Sequence, residues 1–204
     1  MGIKNIVFDM GNVLIEDNMP GFAAQYLPAK SDQKIMLKEL FNGPEWLEWN
    51  LGTMDIPAAA AQVKKRLPVR LRTICARLME DWGMNNPPID GIEPVIRRLK
   101  ENGYGIYLLS NTADTYYLYR HRLPAIEIFD GEFISADYKL LKPDRNIYDT
   151  FSETFGLVPE ENFFIDDRTE NIEGAKEAGW NGFVFRKDVQ ELRNALEKAG
   201  VKTG

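Results

Sequence analysis

The chain has 204 residues, of which 44% are hydrophobic and 27% charged, a composition ordinary for a globular protein with one sizeable core. Its 31 acidic and 25 basic residues give a formal net charge of -6, which argues against a general nucleic-acid-binding surface. The single cysteine, Cys75, excludes an intrachain disulfide. The first apolar run is short and no stretch approaches the roughly 18 apolar residues of a membrane span, so we expect a cytoplasmic protein without nucleic-acid or membrane partners.

The first strand-like segment ends in a carboxylate. Residues 6–8 form an apolar run, Asp9 follows it, and Gly11-Asn12 predicts a turn directly afterwards. Because open α/β sheets bind ligands at the carboxyl ends of their strands, Asp9 is a candidate nucleophile or metal ligand. An aspartate that caps its own turn fits this local pattern equally well. The rest of the chain has to decide between the two interpretations.

A long region without any strand-like run comes next. The segment Glu16–Pro20 is acidic and rich in turn formers, and Ser31 opens a series of predicted helices that reaches about Trp82. Two consecutive prolines in residues 85–88 then indicate a stiff return connection. Residues 17–84 are therefore predicted to form an all-helical cap inserted after the first strand.

From residue 89 onward, strand and helix patterns alternate. Strands are predicted at Tyr104–Leu109, Gly131–Ser135, Asn162–Ile165 and Gly182–Phe185, and helices at Ile92–Glu101, from Ala113, and at Arg145–Phe155, Asn171–Ala178 and Val189–Ala199. Strands that alternate with helices of about ten residues indicate a parallel sheet covered on both faces. The predicted fold class is α/β, with a doubly wound parallel core formed by residues 1–16 and 85–204.

Polar groups of complementary chemistry end three of the predicted strands. Asp9, Ser110-Asn111 and Asp166-Asp167 would lie along one edge of a parallel sheet, and Lys142-Pro143 falls in the loop after the third strand. Taken singly, the serine could be a helix N-cap and the lysine a solvated charge. Adjacent carboxylates, however, repel each other unless a cation lies nearby, and oxygen ligands without His or Cys favour Mg²⁺ where phosphate is bound. Together these groups predict a phosphoryl-transfer site.

These motifs resemble, in the same order, those of the haloacid dehalogenase-like (HAD) hydrolases. The four family motifs are matched by Asp9-Met10-Gly11-Asn12, Ser110-Asn111, Lys142-Pro143 and Asp166-Asp167. The helical insert lies where the family's C1-type cap lies, so the resemblance covers essentially the whole chain. Within the family, the chain looks most like bacterial sugar-phosphate phosphatases similar to α-glucose-1-phosphate phosphatase, and like the phosphatase domain of soluble epoxide hydrolase.

The resemblance implies a magnesium-dependent phosphatase that acts on a small phosphorylated metabolite. Asp9 would attack phosphorus and form an aspartyl-phosphate, which water then hydrolyses. The resemblance also implies that Mg²⁺ is bound by the carboxylates of Asp9 and Asp167 and by the backbone carbonyl of Gly11, with Asp166 acting through a bound water. The expected cofactor is therefore Mg²⁺.

Further residues would contact the phosphate and the rest of the substrate. By resemblance, Ser110 and the backbone amide of Asn111 would bind phosphate oxygens, while Lys142 would neutralise phosphate charge and keep the nucleophile ionised. In the cap, Trp46 and Trp49 are candidates for stacking on a sugar ring, although packing inside the cap explains either tryptophan as well. Monomer and homodimer both stay open.

One position departs from the family pattern. Most family phosphatases carry a second aspartate two residues after the nucleophile as general acid and base, and this chain has Gly11 there. A positioned acid or base contributes about 10²–10⁴-fold to the rate. Its absence predicts a slow enzyme, or a substrate whose leaving group has a low pKa, such as a sugar 1-phosphate.

Three other activities stay open from the sequence. Haloacid dehalogenases and phosphonate hydrolases of the same fold also lack that aspartate, and a catalytically weak phosphate-binding regulatory module would need no acid at all. Dehalogenases require no metal, which the Asp166-Asp167 pair argues against. Phosphonate hydrolysis would require a cap lysine, for which the chain offers Lys30, Lys34, Lys38, Lys64 and Lys65.

Overall fold

A computed structural model describes residues 2–204 and contains a five-stranded, all-parallel sheet. The strands are β1 (Asn5–Phe8), β2 (Gly105–Ser110), β3 (Gly131–Ile134), β4 (Asn162–Asp166) and β5 (Asn181–Val184). Their order is β3-β2-β1-β4-β5, so β1 lies in the centre between β2 and β4. The predicted parallel α/β sheet is confirmed, and the carboxyl ends of β1, β2 and β4 lie side by side.

Between β1 and residue 84 the chain forms a group of helices. These are α1 (Met19–Tyr26), α2 (Lys30–Met36), α3 (Pro44–Asn50), α4 (Ile56–Arg66) and α5 (Cys75–Asp81), with a π-helical segment at Leu37–Phe41 and a 3₁₀ turn at Val69–Leu71. Their apolar side chains form a cluster of their own, centred on the packed rings of Phe22, Phe41, Trp46 and Trp82. None of the described helices is both long and apolar enough to cross a lipid bilayer.

The remaining helices lie around the sheet. They are α6 (Ile92–Glu101), α7 (Tyr116–Tyr119), α8 (Ser135–Tyr138), α9 (Arg145–Phe155), α10 (Thr169–Glu177) and α11 (Val189–Lys198), with 3₁₀ turns at Arg120–Arg122, Ile126–Ile128 and Pro159–Glu161. Ile6 and Phe8 pack with α6 and α11, whereas Val7 packs with α9 and α10. Because successive strand side chains point to opposite faces, both faces of the sheet are covered by helices, as predicted.

The segments that leave and re-enter the sheet region lie against each other. The backbone amide of Glu16 donates to the carbonyl oxygen of Pro87 at 2.8 Å, and that of Ile89 donates to Leu14 at 2.9 Å. The helical group therefore begins and ends at paired chain segments close to residues 16 and 85. The division into a core and a cap at these boundaries stays a prediction.

Three local predictions were wrong. Helix α1 lies where only turn formers were recognised, because Asn18 caps it by accepting a hydrogen bond from the amide of Gly21. The helix expected from Ala113 is limited to the four residues of α7 and a 3₁₀ turn, which stops before Pro124. The single helix expected from Pro68 to about Trp82 is interrupted between the 3₁₀ turn and α5, where β-branched Thr73 and Ile74 disfavour helix.

Candidate active site

The strand ends bring four charged groups together. Asp9 follows β1, Asp166 ends β4 and Asp167 comes next, and one carboxylate oxygen from each lies within 4.8 Å of the others. The Lys142 ammonium donates to Asp9 Oδ1 at 2.6 Å and to Asp166 Oδ2 at 2.7 Å. Its third hydrogen bond goes to the carbonyl oxygen of Leu109 at 3.0 Å, so every donor of the ammonium is used.

Asn111 fixes the position of this lysine. Its side-chain amide donates to the carbonyl oxygen of Lys142 at 3.0 Å and accepts from the Lys142 backbone amide at 2.9 Å. The loop after β3 is thereby held against the end of β2. Asp144 caps α9 by accepting a hydrogen bond from the amide of Asn146. Since Lys142 is only 5% exposed, the structure excludes a solvated loop charge.

The carboxylate of Asp166 is fully buried and held by several donors. The backbone amide of Arg168 donates to Oδ1 at 2.8 Å, and the side-chain amide of Asn171 lies 3.0 Å from both oxygens. The Tyr148 hydroxyl in turn donates to the carbonyl oxygen of Asn171 at 2.7 Å. Asp166 therefore forms a buried ion pair with Lys142 and is not among the residues that line the cavity beside it.

Asn12 links the turn after β1 to the acidic pair. Its side-chain amide donates to Asp167 Oδ2 at 3.0 Å, and its side-chain oxygen accepts from the backbone amide of Asp17 at 3.1 Å. Its φ of 55° lies in the left-handed region, which asparagine tolerates better than most residues. Asn12 thus binds the carboxylate of Asp167 and the backbone of Asp17.

A cavity of about 150 Å³ lies between this edge of the sheet and the helices inserted after β1. Asp9, Gly11, Ser110, Asn111, Lys142 and Asp167 all line it, and the inserted region contributes Asp17, Met19, Trp46, Asn50 and Trp82. Ser110 is not a helix N-cap, because α7 begins only after Thr115. Trp46 lines this cavity, whereas Trp49 lines a separate cleft, and both rings pack in the apolar cluster of the inserted helices.

Burial controls the electrostatics of this group. It raises the pKa of Asp9 to about 7, because desolvation outweighs the attraction of Lys142, and it also raises the pKa of Asp167. It raises the pKa of Asp17 to about 6, to which Asp167 adds. Burial opposes the charge of Lys142, yet the carboxylates of Asp166 and Asp9 together raise its pKa above the ordinary value.

The donor set fits a hard divalent cation. The three clustered carboxylates and the ammonium, when all are ionised, leave two negative charges, and oxygen ligands without His or Cys suit Mg²⁺. The side-chain oxygen of Asn171, at the cavity wall, is buried and has no hydrogen-bond partner among residues 2–204. It leaves an acceptor for the water shell of a bound ion.

We expect Mg²⁺ to raise the Tm, and to do so more at pH 8 than at pH 5.5. The folded-state pKa of Asp9, about 7, lies above its ordinary value of 3.8, so the metal-free protein loses stability as the pH rises between these values. Above about pH 7 the carboxylate of Asp9 is ionised and protons no longer compete with the cation for it. At 100 times its Kd, Mg²⁺ should raise the Tm by roughly 5–10 °C.

Differential scanning fluorimetry with Mg²⁺ or EDTA measures this shift. Asp167→Asn should reduce it, whereas Glu173→Gln, on the exposed side of α10, should retain it. A larger Mg²⁺ shift at pH 5.5 than at pH 8 would contradict the assignment of these carboxylates to a metal site.

Sequence reasoning missed three residues of the site. Asn171 lies four residues after Asp167, so helical periodicity directs its side chain back toward the strand end, and this signal was available in the sequence. Asn12 was recognised only as a turn former. Asp17 lies eight residues after Asp9 in an irregular segment, where no periodicity relates the two.

Comparisons with known proteins identify the family of this chain. Residues 3–179 match the family of haloacid dehalogenase-like hydrolases. The sesquiterpene phosphatase astK of Aspergillus oryzae is 26% identical over 200 residues, covering 95% of this chain and 96% of that protein. The D-ribitol-5-phosphate phosphatase of Bacteroides thetaiotaomicron is 25% identical over 215 residues, covering 95% and 100%.

Solved structures show the same fold. A HAD family enzyme from Bacteroides thetaiotaomicron, crystallised with magnesium and inorganic phosphate, superposes with a TM-score of 0.68 at 23% identity, covering 92% of this chain and 96% of that one. An L-2-haloacid dehalogenase from Xanthobacter autotrophicus superposes with a TM-score of 0.64 at 16% identity, covering 98% and 84%. From its match over residues 3–179, this chain belongs to the haloacid dehalogenase-like hydrolase family.

Proposed function

We propose that this protein is a magnesium-dependent phosphatase that hydrolyses a small phosphorylated metabolite through an aspartyl-phosphate on Asp9. The observation that carries the proposal is the buried Lys142 ammonium, which bonds Asp9 while Asp167 faces the same cavity. Two relatives aligned along their whole length are phosphatases, and the HAD family enzyme crystallised with magnesium and phosphate supports the cofactor.

The chemistry starts with the Asp9 carboxylate at the floor of the cavity. An oxygen of Asp9 would attack phosphorus, and Lys142 orients that carboxylate and partly offsets the rise in its pKa that burial causes. The hydroxyl of Ser110 and the backbone amide of Asn111 would bind phosphate oxygens. Mg²⁺, held by Asp9, Asp167 and the carbonyl of Gly11, would supply positive charge for the phosphoryl oxygens.

The size of the cavity limits what can bind deeply. About 150 Å³ accommodates a phosphoryl group and little more, so the rest of the substrate would extend into an adjoining cleft of about 600 Å³. Trp46, Asn50 and Arg168 line both spaces. An aromatic ring flanked by an amide and a guanidinium can stack on and hydrogen-bond a sugar. We therefore propose a sugar phosphate as the substrate class.

A phosphate ester of an apolar alcohol is the second candidate. The outer cleft is also lined by apolar residues from both regions: Met19, Phe41, Pro44, Leu47 and Leu141. Leu47 is 58% exposed there, so an apolar substrate group in the cleft would remove its surface from water. The similarity to a sesquiterpene phosphatase favours the same class.

The other chemistries fit the site less well. A metal-independent dehalogenase would not need Asp167, whose carboxylate faces the cavity beside Asp9. Phosphonate hydrolysis would require a lysine of the inserted helices at the cavity. None of their five lysines is among the described residues that line the cavity, where Lys142 is the one lysine. Activity measurements distinguish the phosphatase from a phosphate-binding regulatory module.

Phosphate release from a substrate panel tests the proposal. The panel contains sugar 1- and 6-phosphates, farnesyl phosphate, p-nitrophenyl phosphate and, with chloride detection, 2-chloropropionate. We expect inorganic phosphate to be released with Mg²⁺ and not with EDTA, and the preferred ester to identify the substrate class. Chloride release without metal would support the dehalogenase instead, and phosphate binding without any turnover would support the regulatory module.

A further inference from the structure

The space beside Gly11 is filled from elsewhere in the chain. A Cβ atom at Gly11 would lie 3.1 Å from Asp17 Oδ2 and 3.3 Å from Asp17 Cβ. The backbone of Gly11 is outside the left-handed region, so its conformation does not require glycine. The short side chain at position 11 makes room for the carboxylate of Asp17.

Asp17 lies at the wall of the cavity that contains the proposed reacting groups. It lines the same cavity as Asp9, Ser110 and Lys142. Its backbone amide bonds the side chain of Asn12, so its position depends on the turn that follows the nucleophile. Its neighbour Glu16 instead pairs with Lys187 at the surface, so the two adjacent carboxylates have different surroundings.

We propose that Asp17 is the catalytic proton donor and acceptor of this enzyme, supplying from the segment before α1 the carboxyl group that position 11 lacks. This inference rests on the proposed phosphatase function. It is based on the occupied space beside Gly11 and on the placement of Asp17 at the cavity wall.

The proposed steps balance protons and bonds. In the first, an Asp9 oxygen bonds to phosphorus while the bond to the ester oxygen breaks, and protonated Asp17 gives its proton to that oxygen, so an alcohol leaves. In the second, the Asp17 carboxylate takes a proton from water while the water oxygen bonds to phosphorus and the bond to Asp9 breaks. Inorganic phosphate leaves, and Asp17 is protonated again.

The same geometry determines what Gly11→Asp should do. Alone, it would place a second carboxylate against Asp17, and steric contact and like charge should displace both. We therefore expect the single variant to lower turnover. In Gly11→Asp/Asp17→Ala the space is free, and turnover of alkyl phosphates should recover relative to Asp17→Ala.

Asp17→Asn separates proton transfer from other roles. With an alkyl phosphate such as a sugar 6-phosphate, we expect kcat to fall about 10²-fold or more. The phosphorylation burst with p-nitrophenyl phosphate should change less than about 5-fold, because p-nitrophenolate leaves without a proton. Glu16→Gln, the adjacent carboxylate, is the matched control and should retain the turnover of both esters.

Several results would overturn this assignment. Equal losses of rate with both esters would make Asp17 a structural residue. A shift in the Mg²⁺ concentration for half-maximal turnover as the main effect would make it a metal-positioning residue. If the wild-type protein is active and Asp17→Asn has unchanged turnover, the proposed role of Asp17 is rejected while the phosphatase function stands. A wild-type protein that releases no phosphate from any ester would reject the phosphatase function as well. Tm values of the variants, and the turnover of Gly11→Asp/Asp17→Ala, distinguish a loss of proton transfer from a folding defect.

Discussion

Asp9→Asn is expected to abolish phosphate release, with a loss in kcat of about 10⁴-fold or more. Removal of a nucleophile in a covalent mechanism typically has effects of this size. The amide has nearly the same shape, so the fold should persist. Because burial raises the pKa of Asp9 to about 7, its ionised carboxylate destabilises the metal-free protein at pH 8, and the variant should have an equal or higher Tm there.

The measurement is Mg²⁺-dependent phosphate release together with mass spectrometry of the acid-quenched enzyme. The wild-type protein should carry a phosphoryl group on the peptide that contains Asp9, and the variant should not. Asp90→Asn, at an exposed turn position, is the matched control and should retain turnover. Turnover by Asp9→Asn within about tenfold of wild type would exclude the covalent mechanism.

Lys142→Met is expected to be the most destabilising single change at this site. It leaves the buried carboxylates of Asp9 and Asp166 without their shared cation, and breaking a buried ion pair typically costs about 3–5 kcal/mol of unfolding free energy. The loss should be larger at pH 8 than at pH 5, because protonation of Asp9, whose pKa burial raises to about 7, relieves the repulsion at lower pH. Mg²⁺ should restore part of it.

Lys142→Met should also lower kcat by more than the loss of folded protein explains. At a temperature where Lys142→Met stays folded, kcat should still be lower by about 10²–10³-fold, the typical cost of one lost charge-stabilising donor. Urea unfolding at both pH values, with and without Mg²⁺, measures the stability change. Lys176→Met, on the exposed surface of α10, should change the unfolding free energy by less than about 0.5 kcal/mol. A similarly small change for Lys142→Met would show that the ion pairs contribute little.

Much of the fold follows from local sequence pattern. Apolar runs that stop at turn formers marked the central strands, with ends correct to within one or two residues, and helix α9 was predicted with its observed bounds. These features depend on neighbours in the chain, so periodicity and capping residues reveal them. Helix α1 was missed because its N-cap, Asn18, lies among residues that are equally typical of a loop.

The acidic group at the sheet edge was also predictable, with one general rule added. In a parallel sheet, the carboxyl ends of all strands lie at one edge, so Asp9, Asp166 and Asp167 were predicted to lie along that edge. They are neighbours because β1 and β4 are adjacent in the sheet. Their contact with Lys142 required more than this rule. It depends on the side chain of Asn111, which ties the loop after β3 to β2 across 31 residues of chain.

The sequence by itself determined the strand ends, the residue types that lie there and the absence of a second carboxylate at Gly11. Only the tertiary structure decided which side chains share the cavity, bringing Trp46 rather than Trp49 to its wall and the carboxylate of Asp17 into the space beside Gly11. The physical reason is that local pattern constrains backbone conformation. Contacts between irregular segments depend on how the separate elements pack in three dimensions.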